Sequence, residues 1–137
     1  MKVFRQPQRW VAVVDADPAV RDSVASLIEL DGLLVRSYAT ARRFLFDVQE
    51  QPMGTFHCVI CDEQLPDATG LEVHGALTRL CMDIPFALMT SRRASMERRV
   101  AAATGIRYVL RKPVVDTPHF LAFVQRANSV PSEDVDA

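Results

Sequence analysis

Five short runs of apolar and β-branched residues alternate with five segments of helical periodicity, and this alternation limits the folds open to the chain. The predicted strands cover residues 10–14, 33–37, 56–61, 86–89 and 106–110. Connections between them and the predicted helices are short. Such an order is typical of a parallel sheet that helices cover on both faces. We therefore predict an α/β domain.

The helical segments carry their own start signals. Asp17 followed by Pro18 is typical of an N-cap and a first helical residue, and Gly32 ends that helix. Thr40 and Thr69 are expected to cap the next two helices. Residues 94–104 predict a fourth helix, and Thr117 begins the last one.

Composition narrows the class of protein. A length of 137 residues favours one domain, and 49% hydrophobic residues allow a sizeable core. We place this domain at residues 9–128, between an N-terminal extension (1–8) and a polar, acidic tail (129–137). A net charge of −1 gives no general attraction to nucleic acid or anionic membrane. Since we find neither a membrane-spanning run nor a signal peptide, we expect a soluble, cytoplasmic protein.

Cysteine and histidine give no sign of a metal site. Three cysteines argue against a disulfide framework. Cys58 and Cys61 have CxxC spacing, but on a strand they face opposite sides of the sheet. His57, His74 and His119 lie on three different elements. We therefore expect Cys58 and Cys61 to be small buried residues, and we expect no zinc centre.

The run from Cys58 to Pro66 is a buried strand that ends in a carboxylate, Asp62. Asp15, Thr90 and Lys112 stand at the same end of three other predicted strands. If the strand order is 2-1-3-4-5, strands one and three are neighbours and these groups meet at one edge. Two acids and a backbone carbonyl suit Mg²⁺, a lysine and a hydroxyl suit phosphoryl oxygens, and an Asp can itself accept a phosphoryl group.

Four motifs resemble the receiver domain of two-component response regulators, the CheY-like family. They are residues 13–21, the run from Asp62 through Leu65 and Pro66 to Gly70 and Leu71, the pair Met89–Thr90, and residues 105–113. The resemblance covers about residues 9–128. It implies a flavodoxin-like, doubly wound (βα)5 fold with a five-stranded parallel sheet in the order 2-1-3-4-5.

The resemblance also implies roles. Asp62 would accept a phosphoryl group from a sensor histidine kinase or a phosphotransfer protein, and Thr90 and Lys112 would contact that group. Asp15, Asp62 and the backbone carbonyl of Gln64 would hold Mg²⁺, and the bond from Lys112 to Pro113 is expected to be cis. The protein would be a signalling phosphoprotein rather than an enzyme, changing conformation on phosphorylation.

Two positions depart from the family pattern. Ala16 stands where the family usually has a second acid that ligates the metal, and we assign Asp17 to the helix cap. Losing that carboxylate should weaken Mg²⁺ binding and slow phosphotransfer. Val109 replaces the usual aromatic residue of the switch. Tyr108 cannot substitute for it, because neighbours on a strand face opposite sides.

Other readings stay open. A receiver-like interaction module that works without phosphorylation is the main alternative, favoured by Ala16 and Val109. A metal-dependent phosphohydrolase would need an acid where Gln64 stands. Glu63 is expected to be solvated rather than a ligand. Four arginines around the helix predicted over 94–104 form either a solvated face or, with the fifth strand, a homodimer or effector surface: Arg92, Arg93, Arg98 and Arg99.

Overall fold

Five strands and four helices are seen in the computed structural model, which describes residues 9–91, 102, 104–106, 108–114 and 117–128. The strands are β1 (Trp10–Val14), β2 (Leu34–Tyr38), β3 (Phe56–Asp62), β4 (Phe86–Thr90) and β5 (Tyr108–Arg111). The helices are α1 (Pro18–Leu30), α2 (Ala41–Glu50), α3 (Gly70–Arg79) and α4 (Thr117–Asn128).

The strands form one parallel sheet in the order β2-β1-β3-β4-β5. This confirms the predicted flavodoxin-like order. The strand order reverses between β1 and β3: β2 lies on one side of this pair, and β4 and β5 lie on the other. The two strands β1 and β3 are hydrogen-bonded neighbours. In open α/β sheets, the carboxyl ends of the strands at such a switch point form the usual crevice for ligands.

Two strands begin later than predicted. The backbone N–H of Leu33 donates to the carbonyl of Ile28, at the end of α1, so pairing with β1 starts at Leu34 instead. In the last strand, pairing with β4 starts at Tyr108 rather than at Ile106, which is nevertheless buried. The β3 strand runs one residue further than predicted and includes Asp62 itself.

Each face of the sheet carries its own core. One face packs against α2 and α3, and its largest buried members include Phe44, Val59, Leu77 and Leu88. The other face packs against α1 and α4, and its members include Ile28, Ile60, Met89 and Phe120. Cys58 belongs to the second cluster and Cys61 to the first, which confirms that the two thiols face opposite sides.

The predicted helix caps are present. Asp17 accepts a hydrogen bond from the backbone N–H of Ala19, and Pro18 follows it as the first residue of α1. Thr40 caps α2 through the N–H of Arg43. These caps fix where each helix begins after its strand, and hence the shape of the loops at the carboxyl edge.

Several predictions fall outside the described residues. They concern the N-terminal extension 1–8, the tail 129–137 and the surface formed by Arg92, Arg93, Arg98 and Arg99. Within the helix predicted over 94–104, Ala102 and Thr104 are described, and both are helical. In the described part of the chain, no helix combines the length and the apolar character that a bilayer crossing requires.

Candidate functional site

Two carboxylates lie side by side at the carboxyl edge of the sheet. Asp15 directly follows β1 and Asp62 ends β3, so the pairing of these two strands brings both side chains to one place. Both residues are buried, with 1% and 8% of their surface exposed. Burying like charges together is unfavourable unless a cation compensates them.

Lys112 supplies that cation. Its ammonium nitrogen Nζ lies 3.0 Å from Oδ2 of Asp15 and 3.3 Å from Oδ1 of Asp62. The backbone N–H of Lys112 donates to the carbonyl of Thr90 at 2.8 Å, which ties the end of β5 to the end of β4. The peptide bond to Pro113 is cis, as the family resemblance implied. The sheet therefore delivers two acids and an amine to one pocket.

The pKa values of the cluster reflect this geometry. Burial, and then the neighbouring carboxylate of Asp15, raise the pKa of Asp62 above its ordinary value, and Lys112 offsets part of the rise. Burial alone would lower the pKa of Lys112, but its contacts with the two carboxylates outweigh this and raise it. Lys112 is consequently a firmly held cation at neutral pH.

Thr90 is fully buried at the end of β4, where the sequence placed it. Its hydroxyl donates a hydrogen bond of 2.6 Å to Oε1 of Glu63. Glu63 is thus half-buried and has a side-chain partner, which contradicts the expectation that it is solvated, while the expectation that it is not a ligand stays a prediction. The sequence pattern predicts a loop directly after Asp62, whereas the backbone N–H of Glu63 still donates to the carbonyl of Met89 in β4.

The loop from β3 to α3 is closely tied at both ends. Gln64 is exposed and forms an isolated antiparallel bridge with Thr69. Thr69 and Glu72 form a reciprocal capping box at the start of α3, with bonds of 3.1 and 2.9 Å. Within this loop, the Asp67 carboxylate accepts hydrogen bonds from the backbone N–H groups of Ala41 and Arg42, the first two residues of α2. The local sequence pattern did not reveal this contact.

Gly70 lets α3 approach the end of β3. A Cβ built on Gly70 would lie 2.6 Å from the backbone oxygen of Asp62 and 2.5 Å from Cδ1 of Leu88. Neither distance is compatible with a side chain. The glycine therefore allows the helix to pack directly against the backbone at the end of β3, which explains its place in the motif.

The segment after β1 bears out the assignment of Asp17 to the helix cap. Ala16 is exposed and offers no side-chain oxygen. The guanidinium of Arg21 donates to the carbonyl oxygens of Asp15 and Ala16, at 2.6 and 3.1 Å. A cation thus stands beside the position where a second acid was missing from the sequence pattern.

The donor set fits a hard divalent cation only in part. Asp15 and Asp62 offer carboxylate oxygens, which Mg²⁺ prefers, and Mg²⁺ commonly keeps several waters. Among residues 9–91 and the other described positions, however, no three His, Cys, Asp or Glu side chains form a metal-binding group. Because Lys112 already contacts both carboxylates, they fit a weakly bound ion better than a tightly bound one.

Tyr108 and Val109 lie on opposite faces of β5. The ring centroids of Tyr108 and Phe123 lie 4.4 Å apart. The Tyr108 hydroxyl accepts a hydrogen bond from the Arg126 guanidinium. Val109 packs against the core on the other face. Tyr108 is thereby held against α4, which confirms that it cannot take the place of a residue at position 109.

Comparison with known proteins agrees with this arrangement. Residues 11–125 match the family model described as the response regulator receiver domain. Response regulator protein TmoT of Ectopseudomonas mendocina is 36% identical over 75 residues, which cover 55% of this chain and 33% of TmoT. Transcriptional regulatory protein FixJ of Azorhizobium caulinodans is 38% identical over 63 residues, covering 46% and 28%. This chain therefore spans about a third of the length of the curated relatives that it matches.

A solved structure agrees as well. The response regulator receiver protein from Burkholderia phymatum superimposes with a TM-score of 0.75 at 27% identity, covering 92% of this chain and all of that one (100%). The match of the family model spans most of the sheet and reaches from β1 into α4. The chain belongs to the response regulator receiver domain family, the receiver module of two-component systems.

Proposed function

We propose that this chain accepts a phosphoryl group on Asp62 from a sensor histidine kinase or a phosphotransfer protein. The observation that carries the proposal is the position of the Lys112 ammonium, 3.3 Å from Asp62 and 3.0 Å from Asp15. A buried acid at the switch point of the sheet, with a cation held against it, suits the binding of a phosphoryl group.

In the proposed reaction, a carboxylate oxygen of Asp62 attacks the phosphorus of a phosphohistidine. The new O–P bond forms while the P–N bond breaks, and its electron pair returns to the imidazole. Lys112 pairs with the charge on the phosphoryl oxygens, and the hydroxyl of Thr90 donates to one of them. The raised pKa of Asp62 means that this nucleophile loses its charge at a higher pH than an ordinary Asp.

Mg²⁺, when bound, neutralises charge on the transferring group. Asp15, Asp62 and the backbone carbonyl of Gln64 would hold it in the proposed site. Because Ala16 contributes no side-chain oxygen and Lys112 already contacts both acids, we propose weak Mg²⁺ binding and slow phosphotransfer.

The alternative is a receiver module that works through protein contacts without phosphorylation. The specific observation in its favour is that the Lys112 ammonium contacts both buried carboxylates and so offsets part of their charge from within the chain itself. Val109 adds to this, because it cannot act as the aromatic half of a switch. In either case the chain is proposed to signal to a partner protein rather than to turn over a substrate.

Incubation with acetyl phosphate, with and without Mg²⁺, separates the two proposals. Intact-protein mass spectrometry should show a gain of one phosphoryl group that needs Mg²⁺ and is lost in Asp62→Asn. A variant at an exposed acid of α2, Glu50→Gln, serves as the matched control and should still be modified. No gain under any condition would favour the phosphorylation-independent module.

A further inference from the structure

The hydrogen bond between Thr90 and Glu63 concerns the same hydroxyl that the proposed function requires. It measures 2.6 Å from Oγ1 of Thr90 to Oε1 of Glu63. Its donor is fully buried, and its acceptor is a half-buried carboxylate. Hydrogen bonds of this length to an ionised acceptor belong to the stronger class.

A threonine hydroxyl has a single hydrogen to donate. While that hydrogen is donated to Glu63, it cannot be donated to a phosphoryl oxygen on Asp62. The side chain of Thr90 is also β-branched, so it changes direction by rotamer jumps rather than by small adjustments. Contact between Thr90 and a phosphoryl group therefore requires that the bond to Glu63 be broken.

The backbone holds Glu63 in place for this contact. Its N–H donates to the carbonyl of Met89 at 2.8 Å, and its carbonyl accepts from the N–H of Gly70 at 2.9 Å. Both groups are fixed by neighbouring elements, β4 on one side and α3 on the other. The backbone of Glu63 is consequently held beside the end of β4, within reach of the Thr90 hydroxyl.

We infer that Glu63 is a positioning residue that engages the Thr90 hydroxyl in the unphosphorylated protein and competes with the phosphoryl group for it. This inference rests on the proposed function of Asp62 and deepens it. The glutamate opposes the phosphorylated state, since a charge-assisted hydrogen bond is lost when that state forms. Together with Ala16, it biases the domain toward the unphosphorylated form.

A double-mutant cycle with beryllofluoride, a phosphoryl mimic, tests the competition. Binding is titrated by fluorine NMR in the presence of Mg²⁺ for the wild type, Glu63→Ala, Thr90→Val and the double variant. We expect Glu63→Ala to bind beryllofluoride about tenfold more tightly than the wild type, the scale of one charged hydrogen bond. In the Thr90→Val background the same change should have little effect, because no hydroxyl remains to be released.

Simple charge repulsion predicts a different pattern. Glu63→Gln keeps an acceptor but removes the charge, so repulsion alone would make it equal to Glu63→Ala, and both gains would persist in the Thr90→Val background. That result would overturn the inference. Glu50→Ala, at an exposed position, controls for the change in net charge and should leave the affinity unchanged.

A second readout needs no phosphoryl mimic. Urea unfolding of the same four proteins, without ligand, should show that the losses of stability from Glu63→Ala and Thr90→Val are smaller together than their sum. Additive losses would overturn the pairing of Glu63 with Thr90. A failure of every variant to bind beryllofluoride would instead overturn the proposed function, while the unfolding cycle would still decide whether the pair exists.

Discussion

The ammonium nitrogen of Lys112 lies 3.0 Å from a carboxylate oxygen of Asp15, although the two residues are 97 positions apart in the chain. The contact joins the segment after β5, the edge strand on one side of the sheet, to the segment after β1, an interior strand. It also places the same nitrogen within 3.3 Å of Asp62. One lysine thereby contacts two buried acids and offsets part of their charge, which makes it the group on which the pocket depends most.

Replacement of Lys112 by Met should destabilise the protein by about 2 kcal/mol. The ion pairs are only partly buried, with 19% of the lysine side chain exposed, so the loss should be smaller than the 3–5 kcal/mol typical of deeply buried pairs. Urea unfolding measures the change. Mg²⁺ should restore part of the lost stability, because it would compensate the same two carboxylates. Arg42→Met, on the exposed side of α2, is the control, and equal stability of both variants would contradict the account.

Introduction of an acid at position 16 should strengthen Mg²⁺ binding. Ala16→Asp adds a charged oxygen beside the two existing carboxylates, and we expect an affinity about tenfold higher, equivalent to about 1.4 kcal/mol. Isothermal titration calorimetry measures the affinity. Ala16→Asn has the same size without the charge and should gain much less. Equal, tight binding by the wild type and Ala16→Asp would mean that the metal site lies elsewhere.

Two glycines of the same helix should respond in opposite ways to alanine. At Gly70 a Cβ would collide with backbone of β3 at 2.6 Å, so Gly70→Ala should cost about 2–4 kcal/mol of stability and impair the site. At Gly75 the nearest atom is the flexible end of Arg79 at 3.5 Å. Gly75→Ala should therefore be neutral or stabilise by about 0.5–1 kcal/mol. Thermal and urea unfolding compare them, and similar effects would contradict the close approach.

Asp62→Asn should stabilise the folded protein by about 1 kcal/mol at neutral pH, as substitutions at strained functional sites often do. The reason is the raised pKa of Asp62, whose ionised form is less favourable in the folded than in the unfolded chain. The folded wild type therefore becomes less stable as pH rises from the ordinary pKa of Asp to the raised pKa of Asp62. The advantage of the variant should therefore vanish below about 3.8, the ordinary pKa of Asp, grow as pH rises from there to the raised pKa of Asp62, and stay constant above it. An advantage independent of pH would contradict this cause.

The strand ends could be predicted from sequence because parallel topology decides where they meet. Asp15, Asp62, Thr90 and Lys112 each terminate an apolar run, and the order of the sheet then brings them to one edge. Asp17 could likewise be assigned to the cap of α1 from its place before a proline. These are backbone properties, and the local pattern determines them.

The remaining contacts depend on side-chain direction across elements, which local patterns do not encode. The bond from Thr90 to Glu63 spans 27 positions, and that from Ala41 to Asp67 spans 26. Arg21 reaches back over the end of β1 only because α1 presents it there. A carboxylate directly after a strand-ending acid could have been tested as a partner of the neighbouring strand, and that signal was missed.

Chemical trapping of the phosphorylated residue tests the central claim most directly. After incubation with acetyl phosphate and Mg²⁺, borohydride reduces an aspartyl phosphate to homoserine, and peptide mass spectrometry locates the change. The account predicts homoserine at position 62, absent from Asp62→Asn and strongly diminished in Lys112→Met. Homoserine at another acid of the wild type would contradict it. So would the absence of homoserine from position 62 of the wild type.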